Sequence, residues 1–179
     1  MFVSTLTKLA IPVVACLVIL AVTRKRGVSW RDDLGLKAAS PAGAAGWLVL
    51  WLAWVAASEF VIERFGLQQA EAWPAYPPSI LVMRIVAIGM AGPFFEELVA
   101  RGVFFNLFRR TALGPPGAII IVALGWALSH YRYDLPTIAL VCADGVLLGL
   151  ARHQSGSLWV PISMHVVGNL ISIGQSLRL

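Results

Sequence analysis

Glu96 and Glu97 stand side by side in an apolar run, and Arg101 follows four residues after Glu97, in Phe94-Phe95-Glu96-Glu97-Leu98-Val99-Ala100-Arg101-Gly102. One such charge facing lipid at the centre of a span costs roughly 2.5–3.5 kcal/mol on insertion scales, so three cost on the order of 10 kcal/mol. A polar interior must therefore receive them. Glu97 and Arg101 are i,i+4 and can pair on one helix face. Glu96 is turned about 100° around the axis from Glu97. The labour divides accordingly: Glu97 is the structural partner of Arg101, and Glu96 is left to meet a ligand or water.

Further polar groups follow at helical spacing. Gly125-Trp126-Ala127-Leu128-Ser129-His130 sets an indole four residues before an imidazole. Met164-His165-Val166-Val167-Gly168-Asn169 sets an imidazole four residues before an amide, and Gly168 beside them allows close approach of a neighbouring chain. A carboxylate pair, two histidines and an asparagine supply a base, a second proton-transfer group and an amide donor, the parts that hydrolysis of a peptide by water requires. A proton or ion pathway uses similar residues and stays open on this reading. Two histidines and a glutamate could also bind zinc, although no His-Glu-x-x-His occurs.

These residues need spans to hold them. Of 179 residues 59% are apolar and only 13% charged. That excludes disorder and argues against a soluble domain, which averages about 25% charged. The pattern predicts an all-α polytopic integral membrane protein of about six transmembrane helices around a polar intramembrane cavity. It reads as one domain, residues 1–179, with two N-terminal spans and linkers in 1–78 and a motif-bearing core in 79–175. The expected apolar runs are 9–22 (extending toward Phe2 if Lys8 snorkels), 42–62, 79–108, 118–130, 135–150 and 158–177. The third is longer than a bilayer needs, so it must tilt, kink or project. Gly114-Pro115-Pro116-Gly117 reads as a turn, and residues 24–41 as a basic, partly amphipathic linker.

The net charge of +5 fits cytoplasmic loops rather than nucleic-acid binding, since no basic stripe or nucleic-acid motif occurs. With the N-terminus outside, Arg24, Lys25, Arg26, Arg31, Lys37, Arg109, Arg110 and Arg152 lie inside, against Lys8, Arg64, Arg132 and Arg178 outside; Arg84 snorkels outward. Counting along these runs sets Glu96 near mid-span and His165 roughly eight residues from the inner end. His130 comes out near the outer end, a difference in depth of about 10 Å or more. Strong tilt or a different fourth span is needed to bring them together.

Glu96-Glu97-x-x-x-Arg101, then an aromatic-x-x-x-His ending at His130, then His165-x-x-x-Asn169, resembles the CPBP family of CAAX prenyl proteases, bacteriocin-processing proteins and Abi-type membrane proteins. The resemblance covers residues 79–175. It implies an intramembrane endopeptidase of glutamic type in a lipid bilayer, metal-free and with no cofactor, acting on a membrane-associated protein or peptide. Glu96 then resembles the general base that activates water, assisted by His130. His165 and Asn169 resemble the oxyanion-stabilising pair, and Glu97 and Arg101 match supporting positions. Ala100 stands where an aromatic is common, and Trp126 where Phe is commoner; both departures bear on substrate preference. A prenylated protein, a bacteriocin leader or a C-terminal sorting tail all suit such an enzyme. Family habit and small size point to a prokaryotic cytoplasmic membrane.

Two other readings compete: a non-enzymatic scaffold, immunity or regulatory protein of the same fold, and a proton-coupled transporter using Glu96 and Asp144. Asp144 itself reads as a partner for Arg101 rather than a third acidic member of the site. Glu59 reads as interfacial, the Trp47, Trp51, Trp54 stripe as packing or lipid contact, and His153 as solvated beside Arg152. Cys16 and Cys142 read as small buried hydrophobes.

Overall fold

The computed structural model describes residues 2–67 and 73–177. Arg178, counted above among the outer charges, lies outside the described residues. Six helices account for the architecture: α1 Phe2–Lys25, α2 Pro41–Phe65, α3 Pro78–Phe108, α4 Gly114–Ser129, α5 Leu135–Ser155 and α6 Trp159–Ser176. No strand occurs among the described residues. α1, α2, α3 and α5 are each long and apolar enough to cross a membrane. The chain is an all-helical, polytopic integral membrane protein.

Local chemistry sets the helix ends. Ser40 caps α2 by accepting from the Gly43 N–H, and Gly66 closes it in the left-handed region at φ 61°. Asp134 caps α5 by accepting from the Thr137 N–H, and Gly156 closes it at φ 66°. α5 therefore runs five residues beyond the expected Leu150. The Gly-Pro-Pro-Gly stretch is the first turn of α4 rather than a connecting turn, because proline's fixed φ and missing N–H suit the first helical positions.

The basic linker is folded. Leu34 is buried with Cys16, Leu98, Leu158 and Ile162, which ties α1, α3 and α6 to the linker. The Leu158 N–H donates to Gly35 O at 2.7 Å, and Ser157 Oγ donates to Lys37 O at 2.5 Å. Arg152, expected in a solvated loop, is instead buried on α5. Its Nε donates to Arg101 O and its Nη2 to Asp33 O, at 3.2 and 3.3 Å.

The short α4 removes the depth mismatch expected from the sequence. α3 has 31 residues and α4 has 16, lengths of roughly 46 and 24 Å at helical rise. Phe105, near the end of α3, packs on Ala118 and Ile119 near the start of α4. Trp126, near the end of α4, meets Glu96 in the middle of α3. α4 thus pairs with only the second half of α3. His130, the residue that ends α4, lies one turn from Trp126 and not at the far end of α3. α6 is the other departure from a simple bundle of apolar spans. It carries the polar His165 and Asn169 and is buried at positions all along its length. A helix with one side packed on protein can carry polar residues on that side.

Candidate active site

α3 is not uniformly α-helical. Two π-helical stretches, Ala87–Ala91 and Leu98–Phe104, flank the α-helical Gly92–Glu97. Pro93 explains the first: in a regular helix its ring collides with the carbonyl four residues back. The Gly92 N–H reaches back five residues to Ala87 O. Ile88 O then has no intrahelical donor, since its i+5 residue is Pro93. Asn169 Nδ2 supplies one across the helix interface, at 2.9 Å. π-bulges frequently mark functional sites, and here they bracket both glutamates.

The i,i+4 pair forms. Arg101 Nη1 donates to Glu97 Oε1 at 2.8 Å, and both side chains are fully buried. Arg101 Nη2 donates to Gly145 O at 3.0 Å, and the guanidinium lies 5.0 Å from the Trp126 ring centroid. A Cβ on Gly145 would stand 3.0 Å from Ala123, so this glycine sets the close packing of α5 on α4. His165 Nδ1 lies 2.9 Å from the same Glu97 oxygen. A carboxylate accepts only, so Nδ1 carries the proton and donates. His165 Nε2 is thereby turned toward Glu96, 3.9 Å from its Oε2.

Glu96 is more open than its neighbour, with a side chain 38% exposed. Its Oε2 accepts from Trp126 Nε1 at 3.0 Å. The Trp126 ring meets His130 and His165 edge-on, at 5.1 and 5.4 Å between centroids. His130 Nδ1 lies 2.9 Å from Trp126 O, a carbonyl that requires the imidazole to donate, and the ring stacks on Tyr133. No hydrogen bond joins His130 to Glu96; Trp126 lies between them. The structure thus gathers Glu96, Glu97, Arg101 and His165 directly, brings Asn169 onto the same helix interface, and joins His130 through the indole.

Trp126 also divides two cavities. One, of about 530 Å³, is almost wholly apolar and is lined by Glu96, Phe95, Ala100, Phe104, Gly125 and Trp126 among others. The second, of about 190 Å³, is more polar and includes Asp144, Glu59, Thr137, His165 and Asn169 in its lining. Asp144 is not the partner of Arg101. Arg101 reaches the neighbouring carbonyl of Gly145, while Asp144 Oδ1 accepts from Trp54 Nε1 at 2.5 Å. Residues adjacent on a helix diverge by about 100°, so Asp144 faces α2 instead. Trp54 and Trp51 of the tryptophan stripe thus have specific partners: Trp51 is buried against Gly168. Helical spacing gave the stripe a face but not these contacts. Among the described residues no group of three His, Cys, Asp or Glu side chains is placed to share a metal ion.

A family model described as type II CAAX prenyl endopeptidase Rce1-like matches residues 78–171, just over half of the chain. The chain belongs to this family. The matched segment begins with α3 and ends inside α6, and so contains every residue of the gathered site. A protein of Escherichia coli described as "Uncharacterized 24.3 kDa protein" is 27% identical over 122 residues, 61% of this chain and 56% of the relative. The chain therefore spans little more than half the length of that curated relative. No solved structure matches.

Proposed function

We propose that this member of the Rce1-like family is an intramembrane endopeptidase that hydrolyses a peptide bond of a membrane-associated protein or peptide with water activated by Glu96. One observation carries the reading: Glu96 is the carboxylate on the wall of a large apolar cavity, with His165 Nε2 3.9 Å behind it. A substrate segment in that cavity would meet the carboxylate away from bulk water, where electrostatic effects are strongest.

The roles follow from which atoms remain to act. Water gives a proton to Glu96 and its oxygen to the carbonyl carbon. Collapse of the tetrahedral intermediate breaks the C–N bond, and the leaving amine takes the proton. Asn169 spends one amide hydrogen on Ile88 O and retains a second for the oxyanion. His165 donates Nδ1–H to Glu97, so its Nε2 donates to an oxyanion only after taking up a proton. His130, with Nδ1 held by Trp126 O, keeps Nε2 to assist in proton transfer. Glu97 and Arg101 support the geometry, and the residues perform these steps without a metal.

The test compares membrane peptide termini in cells carrying wild type and Glu96→Gln at matched protein levels. Termini present only with wild type identify the cleavage and its substrate, whether prenylated protein, leader peptide or sorting tail. Identical termini, with His130→Ala and Asn169→Ala also silent, move the assignment to a non-enzymatic scaffold.

A further inference from the structure

Trp126 does more than fill a wall. Its indole N–H donates to Oε2 of Glu96 at 3.0 Å, its faces and edges meet His130 and His165, and the Arg101 guanidinium lies 5.0 Å from its ring centroid. It is also the residue shared by the apolar and polar cavities. Glu96 has no other side-chain hydrogen bond among the described residues. A glutamate side chain has three rotatable bonds, and one directional donor on one oxygen removes most of that freedom.

We infer that Trp126 is a positioning residue that holds Glu96 Oε2 and thereby presents Oε1 as the oxygen that takes the proton from water. A cation near the indole ring withdraws electron density from it and strengthens its N–H as a donor. The buried Arg101–Glu97 pair therefore acts on Glu96 through Trp126, without touching it. A purely space-filling ring predicts otherwise: Trp126→Phe keeps an aromatic side chain in the wall, at reduced volume, and loses the N–H.

This inference deepens the reading of Glu96 as the base, and its test has one arm independent of that reading. The full chain is labelled with ¹⁵N at its seven tryptophans, and their indole resonances are recorded in detergent. The Trp126 signal is identified by its loss in Trp126→Phe, or in Trp126→Tyr if that variant folds better. In Glu96→Gln the charged acceptor is gone, so the Trp126 indole proton should move upfield by more than any of the other six. An unmoved Trp126 signal overturns the contact whatever the protein does. In the second arm Trp126→Phe should lose about tenfold in kcat with KM unchanged, the scale of one hydrogen bond to a charged group. A kcat equal to wild type overturns the positioning role. Absence of any Glu96-dependent product in wild type overturns the protease reading instead, and the resonance shift still decides the contact.

Discussion

Asn169 donates its side-chain amide to the carbonyl of Ile88, inside the π-helical stretch that Pro93 forces into α3. The bond joins α6 to α3 at an orphaned backbone group. It gives Asn169 a structural duty beside its proposed catalytic one, and the two can be separated.

Asn169→Ala should cost about 1 kcal/mol of stability, the low end of the penalty for an unsatisfied carbonyl, because this one is only partly buried. Pro93→Ala returns an N–H that Ile88 O can accept. The double variant Pro93→Ala, Asn169→Ala should therefore recover most of the stability lost in Asn169→Ala, measured by thermal unfolding in detergent. It should not recover turnover. Recovery of both would leave Asn169 with the structural duty alone.

Glu97 and Arg101 make the opposite kind of pair, fully buried and ionic. Removing one partner strands a buried charge, a loss of about 3–5 kcal/mol. Arg101→Met and Glu97→Gln should each reduce the yield of folded protein sharply. The double variant should be closer to wild type than either single one, and a double-variant cycle of unfolding midpoints measures the coupling. Independent, additive losses would show that His165 and Gly145 O, not each other, are the partners that matter.

The legible part of this molecule was what one helix decides by itself. The Glu97–Arg101 pair, the six helices and their polar faces follow from i,i+4 spacing and apolar runs. What spacing could not supply was anything fixed between helices. Asp144 was expected at Arg101, but the guanidinium reaches the adjacent backbone oxygen and the carboxylate turns to Trp54. Arg152 lies two residues past an apolar run, where a solvated loop is the natural reading. The linker carbonyl of Asp33 buries it instead. The length of the third run announced a distortion, but not its place, which Pro93 sets in the structure. A helix of uniform pitch had hidden the freed carbonyl that Asn169 fills.

The folded linker has its own signature in acid. Asp33 is held below the usual carboxylate range, first by the Ser29 N–H that donates to it at 2.8 Å and then by Arg110, while burial opposes both. A carboxyl depressed in the folded state contributes stability above its unfolded pKa and loses it as pH falls through the folded value. The contribution should therefore be present at neutral pH and decline below about pH 4. Because Asp33 and Arg110 are partly exposed, it should not exceed about 1 kcal/mol. Asp33→Asn should flatten this acid limb of the unfolding midpoint and leave the neutral-pH fold intact.

Ala100 is a small residue on the wall of the apolar cavity, one position before Arg101. The cavity encloses about 530 Å³ and opens beside Glu96. A phenylalanine at 100 would project into that space. It would leave the hydrogen bonds of Glu96, Glu97 and Asn169 untouched, since none involves the Ala100 side chain. If the cavity binds substrate, Ala100→Phe removes binding that the ground and transition states share, which raises KM and spares kcat. An increase in KM of about tenfold is expected, the scale of a few lost methylene contacts. Cleavage kinetics on the substrate found with Glu96→Gln provide the measurement. A fall in kcat at constant KM would mean that position 100 acts on the site rather than on the bound chain, and the substrate would have to enter from the polar cavity beyond Trp126.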